Sequence, residues 1–124
     1  MQLTFLGKDS VPDQSPTLYA TDQETFVVQG WIVTDPTILA AVTVADDETI
    51  VEVPAKLLRY LEKAGVVGSI SHVVEPIVYV TDSGNDVIKG RRVPDPETLV
   101  QMDIPAHESC VEISRAAALA LIGG

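Results

Sequence analysis

The stretch that decides the fold is SPTLYATDQETFVVQGWIVTDP, residues 15–36, because the chain repeats it sixty residues later as EPIVYVTDSGNDVIKGRRVPDP, residues 75–96. Comparing residues 15–61 with 75–121 without a gap gives 14 identities in 47 positions. Typical residue frequencies would give roughly three identities by chance. The sequence therefore predicts an internal duplication.

Each copy has the pattern of a β-hairpin, a Pro-led helical turn, a third strand and a helix. In the first copy two β-rich runs, PTLYATD and FVVQGWIV, flank a few turn residues, which is a hairpin signal. TIVEV at 49–53 and its counterpart SCVEI at 109–113 alternate as strands do, and a helical pattern follows each of them. Further strands are predicted before each copy, at LTFLG (3–7) and at GSISHVV (68–74).

The predicted fold class is α+β and β-rich, with one strand-hairpin-strand-helix unit duplicated to form a pseudo-dimer. A length of 124 residues is near the commonest size of one domain. We therefore expect a single domain, 1–124, made of repeat one (1–65) and repeat two (66–124). Fusing two protomers turns the interface between them into an internal one.

The helices differ in their starts and faces. Asp35 and Asp95 each precede a proline, which indicates N-cap carboxylates with proline in the first helical position. PAKLLRYLEKAG, residues 54–65, has one apolar stripe and ends at a glycine, which predicts a surface helix. SRAAALALIGG, residues 114–124, is apolar on nearly every side, which predicts central burial or cover by another chain.

The charge balance bears on the class of partner. Lys+Arg 8 against Asp+Glu 18 gives a formal net charge of −10 and a pI near 4.3. Such a chain repels phosphate backbones and anionic membranes, so direct binding to nucleic acid or to a membrane is not expected. The charge suits a basic protein partner, although acidity can also serve solubility alone.

Cysteine usage and hydropathy bear on location. Cys110 is a single cysteine, so no intramolecular disulfide forms, and the first ten residues lack the basic start and apolar run of a leader. No window approaches the roughly 18 uninterrupted apolar residues of a membrane span. We expect a cytoplasmic protein without a cofactor.

Two residue types recur at matching places in both copies. Tyr19 and Tyr79, with Asp22 and Asp82, frame a pair of equivalent ligand-binding pockets in one interpretation. Hairpin geometry explains them as well, because a strand tyrosine packs against its cross-strand neighbour and an aspartate at a strand end favours the turn.

The carboxylates Glu48, Glu52, Glu108 and Glu112 also recur, and paired carboxylates can perform acid/base chemistry. Strand alternation instead places Glu52 and Glu112 opposite their apolar neighbours, toward solvent. No basic or orienting group recurs beside them, so no catalytic residue is expected.

His107 and Cys110 have a spacing that metal sites use, but the only other histidine is His72 and a structural zinc needs four ligands. Cys110 aligns with Ile50, which indicates an apolar core position rather than a nucleophile. No metal site is expected.

The repeat breaks where Trp31 aligns with Arg91 and Ile32 with Arg92. Exposed Trp and Arg are favoured interface anchors, whereas the alternative is a tryptophan packed on the core and two solvated arginines. The expected partner-binding residues are Trp31, Arg91 and Arg92, with Leu119 and Ile122 of the apolar C-terminal helix.

VVQGWIVTDP at 27–36, VEVPAKLLRYL at 51–61 and CVEIS at 110–114 resemble motifs of a family of small actinobacterial proteins encoded beside helix-turn-helix regulators, the BldB-like proteins. The family has a strand that ends in Asp-Pro and a CVEVA-like strand, and its members are usually one unit long. The resemblance implies a non-enzymatic regulator that binds and modulates a cognate DNA-binding protein.

Two other classes of function stay open. One is a small enzyme or ligand-binding protein with a pocket between the two repeats. The other is a self-assembling structural protein that forms a homo-oligomer through the apolar C-terminal helix.

Overall fold

The computed structural model describes residues 1–9, 16–70 and 73–122, which form seven strands and four helical segments. The strands are β1 (Leu3–Lys8), β2 (Thr17–Thr21), β3 (Thr25–Ile32), β4 (Glu48–Pro54), β5 (Ile77–Val80), β6 (Asn85–Arg91) and β7 (Glu108–Ser114). The helices are α1 (Pro36–Ala41), a 3₁₀ helix (Ala55–Ala64), α2 (Pro96–Leu99) and α3 (Arg115–Leu121). The predicted α+β, β-rich class is confirmed.

The third strand of each repeat pairs mainly with the other repeat. β4 lies antiparallel to β6 along its whole length, with Val51 opposite Ile88. β7 lies antiparallel to β3, with Val111 opposite Val28. The two pairings correspond to each other: Val28 of β3 matches Ile88 of β6, and Val111 of β7 matches Val51 of β4, each sixty residues apart in the sequence. The same correspondence holds for the other pairs along both ladders. The two repeats therefore have the same pairing, with their third strands exchanged.

Two short contacts close these strands into a ring. β3 meets β4 where Trp31 lies opposite Glu52, and β6 meets β7 where Arg91 lies opposite Glu112. The pairings β3–β7–β6–β4 therefore lead back to β3. The remaining strands continue outward as two hairpin arms, with β2 and β1 beside β3 and β5 beside β6.

The main hydrophobic core lies where the ring strands, the 3₁₀ helix and α3 meet. Burying one of its larger side chains contributes about 1.5–3 kcal/mol. Its members on the ring strands are Phe26, Val28, Val51, Val53, Ile88, Val111 and Ile113, those on the hairpin arms are Leu6, Leu18 and Ile77, and its helical members are Leu57, Leu58, Leu61, Ala118 and Leu121.

The predicted helix caps are confirmed. The backbone N–H of Thr37 donates to the Asp35 carboxylate at 2.9 Å, and that of Glu97 donates to Asp95 at 3.1 Å. The helix after β4 buries its leucine stripe and ends at Gly65, whose φ is +87°, but it is wound as a 3₁₀ helix. No helix among the described residues is long and apolar enough to cross a membrane.

One predicted strand does not form, and for α3 central burial is excluded, whereas cover by another chain stays a prediction. The strand expected at 68–74 does not form in its described part, residues 68–70 and 73–74, while residues 71–72 lie outside the described ranges. α3 is not buried centrally, because Ala118 and Leu121 are buried but Ala116 is exposed. Four of the seven residues of α3 are alanines, and only one side of the helix packs against the core.

Gly30 and Gly90 permit the two contacts that close the ring. A Cβ atom at Gly30 would lie 2.5 Å from the Glu52 carbonyl oxygen, and one at Gly90 would lie 2.5 Å from the Glu112 carbonyl oxygen. Both obstacles are backbone atoms, which cannot rotate away as a flexible side chain can. The close approach of the strands therefore depends on glycine at both positions.

We predict that Gly30→Ala and Gly90→Ala each lower the free energy of unfolding by about 1–3 kcal/mol, because an added methyl group overpacks the crossing. Urea denaturation measures the loss. Gly84→Asn is the control: a Cβ at Gly84 meets nothing within 4 Å, and Asn tolerates its φ of +85°. If the Gly30→Ala protein were as stable as the wild type, the strands would not cross this closely.

Candidate partner-binding surface

Two smaller apolar clusters lie apart from the main core, one beside each short Pro-led helix. We call them the α2-side cluster and the α1-side cluster. Val27 of the first corresponds to Val87 of the second at a distance of sixty residues, and Cys110 corresponds to Ile50. The buried members are Val27, Val93, Met102 and Cys110 on the α2 side, and Val33, Ile38, Ile50 and Val87 on the α1 side.

β1 covers the α2-side cluster. Met1 and Leu3 pack against it, the Leu3 N–H donates to Gln101 Oε1 at 2.8 Å, and Gln101 Nε2 donates to the Met1 carbonyl at 2.7 Å. The Met1 ammonium donates to Thr98 Oγ1 at 3.1 Å and to Asp95 Oδ2 at 3.4 Å. The Thr98 hydroxyl, which donates to the same carboxylate, is the main cause that lowers the pKa of Asp95.

No strand among the described residues lies over the α1-side cluster in this way. Residues 61–68, which correspond to 1–8, belong to the 3₁₀ helix and the irregular segment after it. Leu39 is 49% exposed, whereas the corresponding Leu99 is half-buried. β5 pairs with β6 alone among the described strands. We call the exposed and half-buried apolar residues of α1, of its C-cap and of β5 on this side the open face: Leu39, Val42, Val78 and Tyr79.

Carboxylates flank the elements of the open face. Asp35 precedes α1, Glu75 precedes β5 and Asp82 follows β5. All three side chains are exposed, and that of Asp35 also accepts the cap hydrogen bond from Thr37. Lys89 of β6 lies 2.7 Å from Glu75, and this hydrogen bond raises the pKa of the lysine. Lys89 is thus already paired with one of these carboxylates.

The predicted anchor Trp31 is half-buried at one closing contact of the ring, with Glu52 and Glu108 as its cross-strand neighbours. Its indole Nε1 is buried and has no hydrogen-bond partner among the described residues. The contact that closes the ring therefore accounts for the position of Trp31. Its indole N–H has no acceptor in the part of the chain that the structure describes.

The predicted anchors Arg91 and Arg92 are exposed at the end of β6. Arg91 lines a cavity of about 340 Å³ together with Glu48, and its cross-strand neighbours are Glu48 and Glu112. Arg92 lines a different cavity, of about 300 Å³, and its Nε donates to the Asp46 carbonyl at 3.3 Å.

Leu119 and Ile122 are half-buried and pack against the main core. Ile122 also lines a cavity of about 470 Å³ beside the 3₁₀ helix. Part of the apolar surface predicted for a partner is therefore in contact with this chain's own core.

The structure does not bring the four predicted ligand-binding residues together. Tyr19 packs on the α2-side cluster and Tyr79 on the α1-side cluster. Asp22 Oδ1 accepts the backbone N–H of Gln2 at 3.1 Å, while Asp82 is exposed. None of the four lines any of the three cavities described above.

Glu52 and Glu112 are half-buried rather than fully in solvent. Asn85 Nδ2 donates to Glu52 Oε2 at 2.8 Å, and Thr25 Oγ1 donates to Glu112 Oε2 at 2.7 Å. Each bond joins the third strand of one repeat to the hairpin of the other. The recurring carboxylates therefore hold the exchanged strands together.

A buried polar group that sequence reasoning missed lies at the start of β7. Gln29 Nε2 donates to Glu108 Oε1 and to the Asp103 carbonyl, both at 2.8 Å, and His107 Nε2 lies 3.4 Å from Glu108 Oε2. Gln29 aligns with Lys89 in the other copy, so the repeat comparison gave no signal for it. The bonds fix the segment before β7 against β3.

No group of three His, Cys, Asp or Glu side chains in the described ranges is placed to hold a metal ion, and His72 lies outside those ranges. Cys110 is buried, in agreement with its alignment to Ile50. Burial raises the pKa of its thiol to about 11.

Comparison of the chain with protein-family models, with curated proteins and with solved structures finds no match. The resemblance to the BldB-like proteins therefore stays a prediction. The open face is the surface on which a functional proposal rests most directly, because the same protein shows its covered counterpart.

We predict that Cys110 is unreactive toward a thiol reagent in the folded protein at pH 8. A pKa of about 11 leaves on the order of one thiol in a thousand ionised, and the side chain is also shielded. Colour release from a disulfide reagent measures the reaction, and the same sample in urea provides the reactive control. Rapid reaction without urea would contradict the burial of Cys110.

We predict that Asp86→Asn stabilises the protein at neutral pH. Asp86 is 7% exposed, its side chain has no hydrogen-bond or ion-pair partner among the described residues, and burial raises the pKa of its carboxyl group. An acid whose pKa is raised on folding destabilises the fold when ionised, and this penalty disappears below the ordinary value of 3.8. The urea midpoint of Asp86→Asn should exceed that of the wild type at pH 7 and match it near pH 3.

An Asp86→Asn protein that is less stable than the wild type at pH 7 would show that the carboxylate makes a favourable contact instead. Asp82→Asn is the matched control. Because the Asp82 side chain is exposed, loss of its charge should leave the urea midpoint nearly unchanged at both pH values.

Proposed function

We propose that this chain is an acidic, non-enzymatic interaction module that binds and modulates a protein partner. The expected partner is a helix-turn-helix transcriptional regulator, the class that the resemblance to BldB-like proteins implies. We also propose a cytoplasmic location, where such a regulator acts.

The observation that carries the proposal is the open face. Both repeats have an apolar cluster beside a Pro-led helix, and the one beside α2 is covered by β1 of the same chain. Leu39 of the open face is 49% exposed, and Val42, Val78 and Tyr79 are half-buried. Apolar surface that is covered in one repeat and uncovered in its counterpart is typical of a site that another molecule covers.

Charge supports the class of partner. The formal net charge of −10, with exposed carboxylates at Asp35, Glu75 and Asp82, favours encounter with a basic surface. A DNA-binding regulator carries such a surface. Binding there would compete with DNA for the same basic residues, which is one physical route to modulation.

We predict that affinity capture with the tagged chain from its native host recovers a helix-turn-helix protein, and that Leu39→Lys lowers this recovery about tenfold. A lysine at the open face removes apolar contact and repels a basic partner. Mass spectrometry identifies and quantifies the captured protein, and a DNA-binding assay with the purified pair measures modulation.

Val100→Lys is the matched control, since Val100 is 80% exposed and lies outside the open face. The proposal requires equal recovery with Val100→Lys and with the wild type. Absence of a helix-turn-helix protein at native expression levels, or equal loss with both variants, would contradict it. Light scattering that shows a large particle would instead favour the self-assembling alternative.

A further inference from the structure

We propose that the free edge of β5 receives one extended segment of the partner protein, which adds as a strand antiparallel to β5 and begins with a cationic residue followed by alternating apolar residues. This inference rests on the proposed function and gives the partner's chemistry at the open face. Strand addition to an exposed sheet edge is a common mode of peptide recognition.

The template for this binding mode is β1 on β2. β1 lies antiparallel to β2, with Leu3 opposite Thr21 and Phe5 opposite Tyr19. β2 and β5 correspond to each other, since Tyr19 and Tyr79 are sixty residues apart and lie opposite Val27 and Val87. What β1 does in one repeat, an added strand can therefore do in the other.

The outer edge of β5 presents unpaired backbone groups. The Thr81 N–H donates to the Asn85 carbonyl at 2.9 Å, which is the side toward β6. Backbone groups of successive residues alternate in direction along an antiparallel strand, so the N–H and C=O of Val80 point away from β6. No strand among the described residues occupies that side. Such a row of free groups is a template for another strand.

Asp82 corresponds to a residue that holds β1. In repeat one, the Gln2 N–H donates to Asp22 Oδ1 at 3.1 Å, and the Asp22 N–H donates to the Gln2 carbonyl at 3.1 Å. Asp82 is the same residue type at the corresponding place, it is exposed, and its side chain has no partner in the described part of the chain. The recurrence of this aspartate is explained if Asp82 also receives the N–H of a strand.

The contact of the Met1 ammonium with Asp95 gives the charge of the incoming segment. That ammonium lies 3.4 Å from Asp95 Oδ2, and Asp35 is the corresponding carboxylate beside the open face. Within a longer partner chain, a lysine or arginine side chain supplies the positive charge.

The apolar positions of the segment follow from β1 as well. Leu3 packs on the α2-side cluster beside Leu99, so the corresponding side chain of an added strand meets Leu39. Ala41 replaces Gln101, the residue whose amide holds Met1 and Leu3, so the contact beside α1 is more apolar.

A second copy of this chain fits the edge less well than a basic partner. Two copies would each bring a formal charge of −10, and like charges repel. The β1 strand of each copy is also engaged on its own β2. Charge therefore favours a segment of a different, basic protein.

The probe for the test is a synthetic peptide with the sequence of residues 1–8 and a free amino terminus, titrated into the full chain. We expect amide shifts in an NMR titration at residues 77–82 and 36–42. Acetylation of the amino terminus of the peptide, which removes the charge of the ammonium and leaves Lys8 charged, should weaken binding roughly threefold, as for other exposed ion pairs.

Two variants examine the edge itself. Val80→Pro removes the outward N–H and Asp82→Ala removes the carboxylate, and each should weaken peptide binding by about tenfold. Val100→Lys should leave the affinity unchanged. Thermal unfolding provides a fold control, because Asp22→Ala loses the bond to Gln2 and should lower the Tm, whereas Asp82→Ala should not.

Absence of shifts at residues 77–82 with about 1 mM peptide would overturn the inference, and so would equal affinity for Val80→Pro and the wild type. A homodimer that Val80→Pro dissociates would also overturn it, because the edge would then belong to a second copy. Capture of a helix-turn-helix protein that is insensitive to Val80→Pro would overturn strand addition and leave the proposed function standing. Peptide binding at β5 without capture of such a protein would overturn the proposed function and leave strand addition standing.

Discussion

The exchange of the third strands is the constraint on which the rest of the structure depends. β4 and β7 each leave their own repeat and pair along their full length with the other, and the ring closes only where Gly30 and Gly90 let a strand approach the neighbouring backbone. The main core is assembled from both repeats because of this exchange. Neither repeat therefore encloses the main core by itself, although each contains a hairpin, a Pro-led helix, a third strand and a following helix.

The hairpins, the third strands and the Asp-Pro caps could be predicted because they depend on local chemistry. Gly84 in a tight turn and Asp35 before a proline have the same preference in any fold. The alternation of TIVEV marks a strand but does not say which strand lies beside it. The exchange was therefore not predicted, since pairing between strands as far apart as Thr25 and Ser114, or Pro54 and Asn85, leaves no signal in a single sequence.

The wrong and missing predictions also have physical causes. The segment at 68–74 has β-rich composition, yet Gly68 has a φ of +145° and no strand forms in its described part, so context overrode propensity. Gln29 and Glu108 form a buried polar pair across the exchanged strands, and their proximity could not be foreseen without the exchange. The open face was missed for the same reason, because β1 belongs to repeat one but covers a helix of repeat two.

The two repeats keep a common frame and differ in what lies over it. The identical residues mostly serve hairpins, caps and the ring, whereas the differences at Trp31 and Arg91 alter the closing contacts. β1 pairs with the edge of β2, and no described strand pairs with the equivalent edge of β5. An asymmetry of this kind arises whenever a symmetric frame is built from a chain that supplies one element only once.

The strand exchange also sets the order in which the molecule can fold. Thr25 pairs with Ser114, and the intervening chain must be made before β3 finds its main partner. Contacts of such long sequence separation slow folding, because loop-closure entropy is lost before the contacts are gained. During synthesis, the edge of β3 that pairs with β7 stays unpaired until the ribosome has made β7. A formal net charge of −10 disfavours aggregation through such an edge.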